Sequence, residues 1–96
     1  MTTRKPDLLQ ALFEEAMILT DKIKTINEAL EIARNAYMAT RLPYPRDVMG
    51  TQEEHRQIRK EFHDTLYSQT LINRRRHTQM LLTNIIGRIG ETAHRD

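Results

Sequence analysis

Ninety-six residues give room for one domain, and with 39 % hydrophobic and 29 % charged side chains the balance is that of a folded soluble chain rather than a disordered one. The chain has no cysteine, which excludes a disulfide framework and a thiolate zinc site and fits a reducing compartment. The opening stretch MTTRKPDLLQALFEEAMILTDK lacks a long uncharged run, so neither a signal peptide nor a membrane span is expected, and the expected location is cytoplasmic (intracellular), away from membranes.

The net charge of +2 hides an asymmetry. Residues 1–50 carry seven basic and seven acidic side chains, whereas residues 65–90 contain no Asp or Glu at all but include Arg74, Arg75, Arg76 and Arg88. A local positive field of this kind says more about partners than the total does.

In chain order, the first element is a long helix over about residues 6–40. Pro6 suits a first helical turn and Asp7 complements the helix dipole there. Apolar residues then step by three and four through Leu9, Leu12, Ala16, Leu19, Ile23, Ile26, Leu30, Ala33 and Tyr37, a seam of four heptads. Phe13, Met17 and Ile32 widen that stripe. A seam this long needs a partner of similar length, and Leu12, Leu19, Ile23, Ile26 and Leu30 are its candidate residues for pairing with a second subunit or another protein.

Pro43, Pro45 and Gly50 interrupt the pattern and predict a loop over 41–50. Thr51 with Glu54 forms a capping box, which starts a second helix expected to run to about residue 87. Its apolar face swings. Ile58, Phe62 and Leu66 lie on one side, while Tyr67, Leu71, Leu82, Ile85 and Ile89 lie roughly opposite. Either the helix breaks near residues 68–73 into a third helix, or it stays continuous and buries two faces; the absence of Pro and Gly between Thr51 and Ile86 favours continuity. Gly87 and Gly90 signal the end, and residues 88–96 read as a polar tail. The expected fold is therefore all-α, a single domain over 1–96. It is a long helical hairpin, with or without a short third helix, pairing into a dimeric antiparallel four-helix bundle.

The residues give no sign of an enzyme. There is no phosphate-binding glycine loop, the single serine, Ser68, lacks an acid–base partner pattern, and no two of His55, His63, His77 and His94 stand four residues apart, so no metal or other cofactor is expected. Chorismate mutases of the all-helical kind are similar in size and helicity, but their helix-one arginine and lysine pattern is not reproduced in residues 8–40, where Arg34 is the only arginine.

The basic residues carry the functional expectation. On one continuous helix, Arg56, Arg59, Lys60, His63, Arg74 and His77 share a single sector, while Arg75 and Arg76 point elsewhere. That stripe would be about 27 Å long at ~1.5 Å per residue, too long for one small ligand and suited to successive phosphates. Arginine fits the task because its planar fork pairs with phosphate and stays charged. Against this stands an ordinary solvated face, in which Glu61 and Asp64 dilute the cluster through pairs such as Lys60–Asp64.

A seam helix, a turn and a second helix with spaced arginines resemble the nodavirus suppressors of RNA silencing. That resemblance implies a dimeric four-helix bundle lying along double-stranded RNA, with Arg56, Arg59 and Lys60 first to meet phosphates and 2′-hydroxyls. The expected function is thus sequence-independent binding of nucleic acid, duplex RNA favoured. A protein-interaction adaptor that uses the seam as its partner surface is the alternative.

Overall fold

In the computed structural model, which describes residues 5–41 and 52–94, the chain is all-α: α1 (Lys5–Arg41), α2 (Gln52–His63) and α3 (Leu66–His94). The Pro-rich segment and Thr51 of the capping box lie outside the described residues. The molecule is a rod of 66 × 22 × 19 Å with a radius of gyration of 20.0 Å. A compact chain of this length would have a radius of about 12–13 Å.

The rod is long because α1 and α3 lie side by side for most of their length, with α2 against one end. Arg75 donates to the Asn27 side chain at 2.8 Å, which fixes an antiparallel register in which α3 descends as α1 climbs. Counting along both helices from that bond sets Leu82 level with Leu19 and Ile89 level with Leu12. The α1 seam fills this interface. Leu12 and Leu19 are buried, and Ile23, Ile26 and Leu30 are half-buried. The partner of matching length that the seam requires is therefore the chain's own α3. Leu12 and Leu19 are closed off within one copy, while Ile23, Ile26 and Leu30 each keep part of their surface in an open groove. On α3 the matching seam runs through Leu71, Arg75, Thr78, Leu82, Ile85 and Ile89, again stepping by three and four. Phe13, Met17 and Ile32 do not widen the buried stripe; all three are exposed.

The continuous second helix does not form. It breaks at Asp64–Thr65, ahead of the expected 68–73. No Pro or Gly is needed, because one hydroxyl serves both helix ends. Thr65 Oγ1 donates to the Phe62 carbonyl at 2.7 Å and accepts from the Ser68 amide at 3.2 Å, while the Thr65 amide closes a tight turn on Phe62. Thr65 is thereby the N-cap of α3, and its side chain satisfies an amide that the helix start would leave without a partner. Gln69 Nε2 adds a bond to the His63 carbonyl at 2.6 Å. Two non-helical residues reset the helical phase, which is why Leu66 is 84 % exposed instead of continuing the Ile58–Phe62 side. Thr65→Ala is expected to cost about 1 kcal/mol, a Tm drop of roughly 4–8 °C, while Thr65→Ser stays within a few tenths of a kcal/mol. Thermal unfolding followed by circular dichroism reads both.

Residues 88–94 of the expected polar tail are also helical. α3 continues through Gly87 and Gly90 to His94. Both glycines have negative φ, so neither adopts the left-handed geometry that ends helices.

At the α2 end the core is tighter. Ile58 and Phe62 from α2 are buried with Ile72 of α3, and the Phe62 ring sits 5.8 Å from that of Tyr37, tilted by 54°. Ser68 is the most completely buried side chain among the described residues, its small size letting α3 begin close against its neighbours. Glu61 ties α2 to α1 by an ion pair with Arg41 at 2.9 Å and a long hydrogen bond from the Tyr37 hydroxyl at 3.4 Å.

Candidate functional site

The junction of the three helices forms a cleft of about 510 Å³. Its floor is apolar, with Leu30, Phe62 and Ile72. Its walls carry cations from every helix: Arg34 from α1, Arg59 and Lys60 from α2, and Arg75 from α3, with the His63 imidazole beside them. Glu31 is the one carboxylate among the described residues that lines it. Among the described residues, the side chains of Arg34, Arg59 and Lys60 make no hydrogen bond or ion pair. Arg75 is the best positioned of the group, half-buried and held by Asn27.

Apart from Glu31, which lines the cleft with Arg34, the acids nearest to it make other contacts. Glu61 belongs to Tyr37 and Arg41. Asp64 lies 3.5 Å from His63 Nδ1 and does not pair with Lys60. Four cations against the carboxylate of Glu31 leave a net positive field in a concave site, where low-dielectric walls strengthen it. Like charges so close repel one another, and an anion placed among them relieves that repulsion while gaining charge-assisted hydrogen bonds.

The grouping differs from the single stripe expected on a continuous helix. The break at Asp64–Thr65 turns α3 relative to α2. Arg75 joins Arg59, Lys60 and His63 in the cleft. Arg76 follows on the same flank, in an adjoining groove with Ile23, Asn27, Gln79 and Met80. Arg74 and His77 fall on the opposite flank, in a groove of about 920 Å³ beside Lys22, Asp21 and Thr25. Arg56 is exposed on α2 and makes a 3.4 Å contact with exposed Glu53, a pair of little energetic weight.

Sequence reasoning missed Arg34. It sits alone among the arginines of residues 8–40, and only the antiparallel return of α3 and the packing of α2 bring it to the others. The signal available in advance was its spacing: Asn27, Glu31 and Arg34 lie on one helical face, one step off the apolar seam. Arg41, a loop cation by its position in the sequence, ends α1 and is held by Glu61, so its role is to dock α2.

No metal-binding group of three or more His, Cys, Asp or Glu side chains occurs among the described residues, nor any helix long and apolar enough to cross a membrane. Compared with protein-family models, curated proteins and solved structures, the chain finds no significant match.

Proposed function

We propose that the protein binds nucleic acid as a homodimer, duplex RNA ahead of duplex DNA and single strands, through phosphate contacts and A-form shape and without sequence specificity. The observation that carries this reading is the convergence of Arg34, Arg59, Lys60 and Arg75 on one cleft, with Arg56 and Arg76 extending the cationic surface to either side. A rod of 66 × 22 × 19 Å is too broad to enter a single groove, so it meets a duplex across the backbone, where shape and 2′-hydroxyls distinguish RNA from DNA. Sequestering duplex RNA, in the manner of a viral suppressor of RNA silencing, is the biological role such an activity would serve. A protein-interaction adaptor is the second reading, with α3 lying along much of the seam that it would use.

Mobility-shift titrations against duplex RNA, duplex DNA and single-stranded RNA, each at about 50 and 200 mM salt, test the reading. Duplex RNA is expected to bind tightest, with affinity falling steeply as salt rises. No shift with any nucleic acid at the lower salt would end it.

A further inference from the structure

The rod is lopsided. α2 covers one flank of the α1–α3 pair at the cleft end, and nothing in the described residues covers the same flank beyond it. Stepping by three and four from the cleft, that flank continues through Asn27, Thr20, Met17 and Phe13 on α1 and through Arg76, Met80, Thr83, Gly87 and Gly90 on α3. Four large apolar side chains stand out on or beside it: Phe13 is 50 % exposed, Met17 66 %, Met80 64 % and Ile86 55 %. Beyond Lys24 and Arg76 its described residues carry no charge, whereas the opposite flank, which also exposes Ile18 and Leu81, carries Glu15, Lys22, Arg74 and Arg88.

The two glycines make a second, independent point. Glycine inside a helix is less favourable than alanine by about 1 kcal/mol. Here a Cβ at Gly87 or Gly90 would meet nothing of this chain within 4 Å. Their small size does nothing for the fold of one copy, but it lets the backbone of a neighbouring helix come close.

The exposed area is large enough for a neighbour of this chain's own size. The chain exposes 7598 Å². A compact protein of 11.4 kDa exposes about 5,800 Å², so some 1,800 Å² stands in excess, against roughly 800 Å² per partner in a stable interface. The uncharged stretch is its own complement in length and character. Two copies turned end for end overlap their bare halves, and each α2 stands as a stop where the other's tip arrives. We infer that the Phe13–Met17 and Met80–Gly90 flank is the docking surface for a second copy of this chain, forming a four-helix bundle in the middle of a longer rod with a cationic cleft towards each end. This rests on the homodimer of the proposed function and assigns it a face that the seam residues do not provide.

Gly87→Glu is the sharpest variant, because it sits in open space, raises helix propensity and places a charge in the centre of the face. Light scattering on the full chain is expected to give twice 11.4 kDa for the wild type and the single-chain mass for Gly87→Glu, with helical circular dichroism unchanged. The chain has no cysteine of its own, so single cysteines report the geometry. Ile86→Cys, at the midpoint of the bare stretch and hence near the two-fold axis, should give a covalent dimer with a short bis-maleimide, and Thr25→Cys on the opposite flank should not. A monomeric wild type at tens of micromolar overturns the dimer and this face together. A dimer that survives Gly87→Glu, or that crosslinks through Thr25→Cys in preference to Ile86→Cys, overturns the face alone.

Discussion

Phe62→Ala is expected to lower the stability of the chain by about 3–5 kcal/mol, the largest effect of any single substitution away from the α1–α3 seam. Phe62 is the buried anchor of a helix only 12 residues long, and a helix of that length is marginal on its own. Its ring fills the space beneath Tyr37 and beside Ile72, and truncation leaves a cavity that the fixed α1–α3 pair cannot close. The polar contacts at the same junction contribute less. Tyr37→Phe keeps the ring and removes only a 3.4 Å hydrogen bond at a partly exposed carboxylate, so its cost should stay below about 1 kcal/mol. Arg41→Gln, at a half-exposed ion pair, belongs in the same range of about 0–1 kcal/mol. Urea unfolding at fixed protein concentration compares the three. A Phe62→Ala midpoint close to that of Tyr37→Phe would show that α2 is held by its ion pair and not by burial.

Neutralising the cleft should remove nucleic-acid binding. Arg59→Gln, Lys60→Gln and Arg75→Gln together take away three of the four cations that every helix contributes to one concavity. At about 1 kcal/mol per phosphate contact, the loss is roughly 100-fold in affinity for duplex RNA, and the slope of log affinity against log salt should fall by about three. Arg34→Gln tests the same site with the least disturbance to the fold, because no side chain among the described residues bonds to Arg34. Its expected loss is several-fold. Arg74→Gln with His77→Gln, on the opposite flank, is the control and should change affinity by much less than the triple substitution. Equal losses from the two sets would mean that the whole rod binds through diffuse charge and that the cleft has no special part.

The helical class was legible along the chain because it depends on local periodicity. Leu9 to Tyr37 repeat at three and four over many turns, and no tertiary arrangement is needed to see that these residues must lie on one face. The basic character of residues 65–90 was equally plain. The corner at Asp64–Thr65 was missed because it uses neither Pro nor Gly. Its signal was the Asp-Thr pair, residues that favour helix starts, and it was outweighed by the lack of breakers around it.

That small error carried through to the site. Two non-helical residues rotate everything after them, so a stripe drawn on a continuous helix puts Arg74 with Arg59 and sends Arg75 away, and the fold does the reverse. Only the tertiary structure brings Arg34 to Arg59, Lys60 and Arg75, since they come from three helices and no sequence spacing encodes their meeting. It also decides what the seam is for. Periodicity showed that Leu12, Leu19, Ile23, Ile26 and Leu30 must be covered, but it is blind to whether the cover is intramolecular. The antiparallel return of α3, fixed by Arg75 and Asn27, supplies the cover from within, because a helix already tethered to the same chain meets the seam without the translational entropy cost that a second molecule carries.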